Sequence, residues 1–242
     1  MADSPFPVSE ESDDSDWIPI SDLMSGLMLL FLCVAVLYMR KQQQVAQSYQ
    51  QVQNGLAASL QEELSEQELA RWGAELDGSG LVIRFIDQEN QFQGGDDSLS
   101  PGFQAILADF FPQFVEVLGR PGLREHVVEV RIEGHTSSEF YAGGRPLPPK
   151  PAYLKNMDLS QRRALSVLSY VIGLPPVEAA WADWLGGVLR ANGLSSSRLM
   201  TTKGEGGTDV EDVVRSRRVE FRIVTDAEDR MQEIVSVMGA QP

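Results

Sequence analysis

The chain has 242 residues, enough for one or two domains, and 43% of them are hydrophobic, so it can bury a core. Its formal net charge is -15, with 35 acidic against 20 basic side chains, and such a chain repels phosphate backbones. With one cysteine and two histidines it can form neither an intrachain disulfide nor a zinc site of the Cys/His type. We therefore expect no direct nucleic-acid binding, no metal and no cofactor.

An acidic segment opens the chain. Residues 1–22 contain seven acidic side chains and no lysine or arginine, with prolines and serines among them. Segments of this composition cannot bury enough apolar surface to fold. We therefore predict an acidic tail over residues 1–16, disordered over residues 1–15.

An apolar run follows over residues 17–39, and a basic pair at residues 40–41 closes it. Its strictly apolar part, residues 23–38 apart from one serine, gives only about 24 Å of helix. A bilayer core needs ~30 Å. The missing length has to come from the N-terminal side, and this places Asp22 inside the membrane.

A secretory signal peptide is the alternative interpretation of this run. It would need a basic leader and a small-residue cleavage site after the apolar stretch. The leader is acidic instead, and the run ends in Tyr38, Met39, Arg40 and Lys41. We predict an uncleaved single transmembrane helix over residues 17–39.

A carboxylate inside this span is energetically expensive, costing ~2.5–3.5 kcal/mol at a helix centre. Near the helix end the cost is lower, so a helix N-cap at the interface is the simpler alternative. One stripe of the helix, with spacings i, i+3, i+4, i+7 and i+11, holds Asp22, Ser25, Gly26, Leu29 and Cys33. Small residues on one stripe let other helices approach closely. We therefore expect Asp22 to carry an ion, with Ser25 and Gly26 lining its path.

The string D-L-M-S-G-L-M-L-L-F, which begins at Asp22, resembles the stator B-subunits of bacterial rotary motors, the family typified by MotB. In that family an aspartate near the start of the single transmembrane helix binds and releases the translocated ion. The resemblance therefore implies the same role for Asp22.

Residues 40–77 are predicted to form a helical linker. Val45, Tyr49, Val52, Leu56, Leu60 and Leu64 follow one another at steps of three or four residues, a pattern typical of an amphipathic helix. A surface helix and a self-associating stalk fit this pattern equally well.

From residue 78 onwards the sequence predicts strands that alternate with helices. The strands are Leu81–Phe85, Val127–Glu133 with Val128, Val130 and Ile132 on one face, Leu199–Thr202, and Val219–Val224. The helices begin at Pro101, Leu159, Pro176 and Ala227, and the last three end at Ile172, Ala191 and Met238. The buried face of the first helix carries Phe103, Ile106, Leu107, Phe110, Phe114 and Leu118. This alternation predicts an α/β sandwich with helices packed on one sheet.

Three strings in this part are I-E-G-H-T at residues 132–136, N-M-D-L-S-Q-R-R-A at 156–164 and S-R-R-V-E-F at 216–221. In order and spacing they resemble the G-H-T-D, N-x-x-L-S-x-x-R-A and N-R-R-V-E-I strings of the OmpA/MotB C-terminal domain. That domain binds the peptide stem of peptidoglycan. The resemblance therefore implies an OmpA/MotB-like peptidoglycan-binding domain over residues 78–242.

The resemblance also implies site residues. Arg163 matches the arginine that pairs with a diaminopimelate carboxylate, a task that suits the planar guanidinium fork. Arg217 and Arg218 match a pair of which one commonly lines the site and one supports the fold. Thr136 and Asn156 lie at matched positions and are included in the predicted site.

The sequence departs from the family pattern at two positions, Ser137 and Ser216, and Asp158 and Ser137 belong to the predicted site. Ser137 replaces the family aspartate that meets the ligand's ammonium, and it cannot supply a full charge, although Glu139 is close by in sequence. Ser216 replaces the family asparagine before the arginine pair. Asp158 is predicted at a helix start, where a carboxylate can cap exposed amides.

A wall-binding domain has to face the periplasm, so the tail is expected in the cytoplasm of a bacterial inner-membrane protein. The positive-inside rule, applied to Arg40 and Lys41 alone, would favour the opposite orientation. The acidic tail, Ser137 and an insert from Tyr141 to Lys155 resemble the ZorB family, stator subunits of Zorya anti-phage defence. The resemblance implies a homodimer and a multi-span MotA/ZorA-like A-subunit in a proton-driven complex, commonly five A to two B.

Three alternatives belong to related classes: a flagellar-type MotB stator subunit, a passive OmpA-like peptidoglycan anchor, and an energy-transducing subunit resembling ExbD or TolR. The carboxylate at Asp22 argues against the passive anchor, and the three wall-domain strings argue against the ExbD or TolR type. No Ser/His/Asp triad or carboxylate pair indicates hydrolysis, so no enzymatic activity is expected. Proton and sodium stay open as the ion.

Overall fold

The computed structural model describes residues 14–86, 91–93, 96–204 and 207–226. Most of the predicted tail and the predicted helix Ala227–Met238 lie outside the described residues. The chain divides into two compact units, Met1–Ser48 and Tyr49–Pro242, which are described separately.

The first unit contains the start of helix α1, Asp14–Glu63. Within α1, Ile20–Gln44 is the one described helix that by itself is long and apolar enough to cross a membrane. Its apolar side chains are exposed within this chain, as lipid-facing side chains have to be. The helix begins at Asp14, inside the tail predicted to be disordered.

The second unit takes up much of the predicted linker. Leu56, Leu60 and Leu64 are fully buried in the core of the domain, and helix α2, Glu66–Trp72, adds Trp72 to the same core. The hydroxyl of Ser65 and the carboxylate of Glu68 form a reciprocal capping box at the start of α2. The domain therefore starts well before the predicted boundary at residue 78, because the apolar stripe of the linker packs against the domain itself.

A five-stranded sheet forms the centre of this unit, in the order β1-β2-β9-β3-β6. Its strands are β1 Ala74–Leu76, β2 Val82–Ile86, β3 Val127–His135, β6 Leu189–Gly193 and β9 Arg218–Thr225. All neighbours are antiparallel except β3 and β6, which are parallel.

Three long helices accompany the sheet: α3 Pro101–Leu118, α4 Pro149–Ile172 and α5 Pro175–Val188. Aromatic side chains from α3 meet those of the sheet in the core between them. The Phe110 ring centroid lies 5.0 Å from that of Phe85 and 5.2 Å from that of Phe221. Edge-to-face pairs of this kind add stabilisation beyond their burial. This is the predicted α/β sandwich, with helices packed on one sheet.

Short elements complete the domain. The hairpin β4–β5 pairs Tyr141–Ala142 with Arg145–Pro146, and the hairpin β7–β8 pairs Thr201–Lys203 with Asp209–Glu211. The one-turn helix α6, Val213–Ser216, leads into β9.

Three sequence predictions about elements are corrected by the structure. Helix α4 begins at Pro149 and not at Leu159, since prolines are well suited to the first turn of a helix. Helix α5 ends at Val188, and the next five residues form β6, because pairing with β3 outweighs their weak intrinsic preference for strand. A bulge between Val127 and Glu129 turns Val127 into the core and leaves Val128 exposed.

Candidate functional site

The first predicted string ends where β3 leaves the sheet, and the second lies on α4 beside it. The Asn156 side-chain amide donates to the backbone carbonyls of Ser137, at 3.0 Å, and Glu139, at 3.2 Å. The Thr136 amide donates to the Ser195 carbonyl at 3.0 Å, and the Ser195 amide donates to the Ser160 hydroxyl at 3.0 Å. The structure therefore brings Thr136, Ser137 and Asn156 together and adds Ser195, which sequence reasoning missed.

Close contact between α4 and the sheet positions this site. A Cβ on Gly134 would lie 2.3 Å from the Ser160 carbonyl oxygen, and a Cβ on Gly193 would lie 2.4 Å from the Gln161 amide nitrogen. The Gln161 side chain accepts from the Gly193 amide at 2.7 Å and donates to the Ala191 carbonyl at 3.1 Å. The serine and glutamine of the second string thus dock α4 on β3 and β6.

Arg163 lies one turn further along α4 and is 8% exposed. Its Nε donates to the Asp96 carbonyl at 3.1 Å, and its guanidinium carbon lies 4.5 Å from the centroid of the Phe92 ring. Stacking and this hydrogen bond hold the plane of the guanidinium in one orientation. Such a fixed fork is suited to bidentate recognition of a carboxylate.

Asp158 does not lie at a helix start, so that prediction is wrong. It is exposed in the middle of α4 and pairs with Arg162 one turn away at 3.3 Å. The reason is the earlier start of α4 at Pro149, which moves the exposed amides of the first turn away from Asp158.

The carboxylate of Glu211, on β8, contacts the residue that follows Ser137. The Ser138 amide donates to Glu211 Oε1 at 2.9 Å, and the Ser138 hydroxyl donates to Glu211 Oε2. The side chain of Glu139, the carboxylate considered from sequence, accepts instead from the Tyr141 hydroxyl at 3.4 Å. Sequence carried no signal for Glu211, because it lies on a different hairpin far along the chain.

The two adjacent arginines of the third string lie in different surroundings. Arg217 is exposed, and its Nε donates to the Val213 carbonyl at 3.2 Å. Arg218 is buried, and its Nε donates to Glu220 Oε1 at 2.7 Å. Ser216, in place of the family asparagine, is also buried and accepts from the Met200 amide at 3.0 Å. Arg218 and Ser216 therefore have structural contacts, and Arg217 is the member of the pair open to a ligand.

Charged and ionisable side chains of β3 and β9 form a second, buried cluster in the sheet. His135 Nε2 lies 3.7 Å from carboxylate oxygens of both Glu133 and Glu220. Among the described residues these three side chains are the one group close enough to hold a metal ion. Arg222, however, already pairs with Glu133 at 3.2 Å and with Glu220 at 3.0 Å, and Arg218 and Arg84 also pair with Glu220. The carboxylates of Glu133 and Glu220 are therefore paired with arginine side chains, and the arrangement is an ion-pair cluster.

The pKa shifts follow from these pairings. Burial lowers the pKa of His135 and favours the neutral imidazole. Burial raises the pKa of Glu220, but its hydrogen bond and charge pairing with Arg218 outweigh this and bring it to about 2. Burial likewise raises the pKa of Glu133, yet the nearby His135 imidazole and the hydrogen bond and charge of Arg222 leave it below its ordinary value.

The predicted ion site lies in the other unit. Asp22, Ser25 and Gly26 are all on α1 within the candidate span, and all are exposed. The Ser25 hydroxyl donates to the Ser21 carbonyl at 2.8 Å, so its own helix satisfies it. Within the part of the chain that the structure describes, no hydrogen bond or ion pair involves the side chain of Asp22.

Known proteins are similar to this chain in sequence and in structure, although no protein-family model matches it. A Zorya protein ZorB from Escherichia coli is 36% identical over 233 residues, which are 93% of this chain and 94% of that protein. A solved MotB-like protein from Desulfovibrio vulgaris is 22% identical, with a TM-score of 0.42, and the match covers 75% of this chain and 94% of that one. The periplasmic domain of Helicobacter pylori MotB is 16% identical, with a TM-score of 0.41, over 66% of this chain and 87% of that one.

The fold and the candidate span define a class of protein with one N-terminal apolar helix and a mixed α/β domain, which confirms the predicted fold class. The chain belongs to the ZorB family, because an identity of 36% extends over nearly the full length of both proteins. The predicted family is therefore confirmed as well.

Proposed function

We propose that this protein is the membrane-anchored B-subunit of a proton-driven stator complex in Zorya anti-phage defence. Asp22 carries the proton, Ser25 and Gly26 line its path, and the α/β domain anchors the complex to peptidoglycan. The name of the Escherichia coli relative supports the assignment to Zorya. The protein acts as a homodimer with a multi-span A-subunit of the MotA/ZorA type, at five A to two B.

The observation that carries this proposal is the carboxylate at Asp22. It lies on a helix that is long and apolar enough to cross a membrane, and no described residue pairs with it. An unpaired ionised carboxylate facing lipid is costly, so the side chain needs a polar path or another protein beside it. A helix with small residues on that stripe allows such close approach.

Peptidoglycan anchoring is supported by the arrangement around Arg163. Phe92 and the Asp96 carbonyl hold its guanidinium in one orientation, on the helix that also supplies Asn156. A stem-peptide carboxylate is a suitable bidentate partner for that group. We assign Thr136, Ser137, Asn156, Arg163 and Arg217 to the binding site.

Anchoring to the wall also defines the orientation in this proposal. The domain lies in the periplasm, the span lies in the inner membrane, and the acidic tail lies in the cytoplasm. The two basic residues after the apolar run are too few to oppose this orientation strongly, since insertion responds to the bias summed over the flanking loops.

The test is the substitution Asp22→Asn in cells that depend on the Zorya system for phage protection. Asparagine keeps the size and the hydrogen bonding of aspartate but cannot ionise. We expect protection to be lost while the amount of protein in the membrane is unchanged. Asp16→Asn is the matched control, because it removes a carboxylate from the tail and should leave protection intact.

Full protection by the Asp22→Asn variant would overturn the ion-carrying role and favour a passive wall anchor. Copurification gives a second, independent measurement. An anchor needs no multi-span partner, whereas a stator subunit should copurify in detergent with a coexpressed A-subunit. Restored motility in a strain lacking flagellar MotB, without phage protection, would favour the flagellar type of stator.

A further inference from the structure

The segment 140–155, which we call the basic hairpin segment, carries net positive charge within an acidic chain. It contains Arg145, Lys150 and Lys155 and no acidic residue, within a chain whose net charge is -15. All three cations are exposed, and none forms an ion pair with any residue that the structure describes. Other exposed cations, such as Arg71 and Lys203, have a carboxylate partner within 2.6 Å.

Local structure holds this segment in a defined shape. The β4–β5 hairpin closes through Gly143 and Gly144, whose φ angles of +58° and +76° suit a tight two-residue turn. The Leu147 amide donates to the Phe140 carbonyl at 2.8 Å. Helix α4 then continues the segment, with Ala152 buried against the domain. The cations are therefore presented by ordered backbone.

The segment is also joined directly to the candidate wall-binding site. Asn156 holds the Glu139 carbonyl at its start and belongs to α4 at its end. The Ser195 hydroxyl donates to the Tyr153 carbonyl at 2.8 Å, and the Ser195 carbonyl accepts from Thr136 of the site. A polymer bound at the site therefore has this segment as its immediate neighbour.

Side chains of the segment have the composition of a recognition surface. Tyr141 is 57% exposed and Leu154 is 60% exposed, among the three cations. Tyrosine and arginine are enriched at protein–protein binding surfaces. The partner that such a surface fits is an anionic polymer with both polar and apolar parts.

We infer that the basic hairpin segment is a second contact site for peptidoglycan, in which Arg145, Lys150 and Lys155 bind carboxylates of stem peptides next to the one held at Arg163. This inference rests on the proposed wall-anchoring function. Peptidoglycan carries several carboxylates per repeating unit, so charge complementarity favours it as the occupant.

The test is cosedimentation of the full-length protein in detergent with purified sacculi. The variant Arg145→Gln/Lys150→Gln/Lys155→Gln should bind about tenfold more weakly than the parent, since each exposed charge contributes modestly. The variant Arg71→Gln/Arg124→Gln/Lys203→Gln changes the net charge equally at exposed positions outside the segment and should bind like the parent. Raising the salt concentration should remove most of the difference.

Arg163→Ala separates this inference from the proposed function. If Arg163→Ala weakens binding and the hairpin variant does not, the inference is overturned and wall anchoring stands. If both triple variants weaken binding equally, net charge explains the effect and the inference is overturned. If the parent does not sediment, both ideas fail. A last experiment uses vesicles that contain phosphatidylglycerol. If binding to these vesicles depends on the hairpin cations while binding to sacculi does not, the segment binds lipid and the inference is overturned.

Discussion

Single side chains in this domain show how burial and pairing compete. Glu220 is 1% exposed, and burial alone would keep its carboxyl protonated. Arg218 and Arg84 donate to one of its oxygens, at 2.7 and 2.9 Å, and Arg222 donates to the other at 3.0 Å. Three charge-assisted hydrogen bonds more than offset the desolvation, so the carboxylate is ionised in the folded protein. Removing that one charge would leave the buried guanidinium of Arg218 without its carboxylate partner.

The pH dependence of stability follows from the pKa of Glu220, which is about 2 in the folded protein against an ordinary value of 4.5. A lowered folded-state pKa contributes stability above pH ~4.5, and this contribution is lost as the pH falls towards about 2. At neutral pH it amounts to about 3 kcal/mol. We expect Glu220→Gln to lower the free energy of unfolding by about that amount, and to flatten its pH dependence between pH ~4.5 and ~2.

Tryptophan fluorescence during denaturant unfolding of the full chain in detergent provides the measurement, because Trp72, Trp181 and Trp184 lie in the domain. Glu116→Gln, at an exposed position on α3, is the control and should match the parent at every pH. A Glu220→Gln variant as stable as the parent at neutral pH would show that the ion-pair cluster contributes no net stability.

Secondary-structure elements were predictable from sequence where one periodic apolar face determines them. The face of α3 that carries Phe103, Leu107 and Phe110 is buried as predicted, and β9 follows the predicted strand closely. The strand β6 was not predictable, because Leu-Arg-Ala-Asn-Gly becomes a strand only through its pairing with β3. The bulge in β3 was missed for the same kind of reason, since it depends on the register with the neighbouring strand β9.

The candidate site was predictable only in part, because several of its contacts join residues on different elements. Resemblance in short strings pointed to Asn156, whose side chain contacts the backbone after β3, and to Arg163, which contacts Asp96 and Phe92. The contact of Glu211 with Ser138 depends on how two hairpins fold against each other, and no local pattern encodes it. The role of Gln161 in holding β6 was hidden for the same reason.

Packing of α4 on β3 leads to a prediction at Gly134. A Cβ there would lie 2.3 Å from the Ser160 carbonyl oxygen, which belongs to helix backbone and cannot move without shifting α4. We expect Gly134→Ala to destabilise the domain by about 1–3 kcal/mol, through overpacking. It should also weaken sacculus binding, because α4 carries both Arg163 and Asn156.

The matched control is Gly186→Ala in α5, where a Cβ would meet no atom within 4 Å. Alanine is the better helix former, so this variant should be as stable as the parent or slightly more stable. Thermal unfolding of both variants, followed by far-UV circular dichroism, tests the prediction. Equal melting temperatures for the two variants would mean that the close approach at Gly134 is not a constraint.

At the scale of the whole molecule, two sequence signals point in opposite directions. The basic pair Arg40 and Lys41 after the span favours a cytoplasmic domain, whereas wall binding through Arg163 needs a periplasmic one. The acidic tail is weak evidence for either side, since acidic residues contribute little to orientation. Measuring the orientation of the domain therefore tests the anchoring role directly.

The sole cysteine, Cys33, lies in the span, so Cys33→Ser gives a background for placing single cysteines. We expect a thiol introduced by Glu116→Cys, at an exposed position in the domain, to react with a membrane-impermeant maleimide in intact spheroplasts. A thiol introduced by Ser9→Cys, in the tail, should react only after the membrane is permeabilised. The reverse pattern would place the domain in the cytoplasm, where no peptidoglycan is present, and the anchoring role would then be wrong even if Asp22 carries an ion.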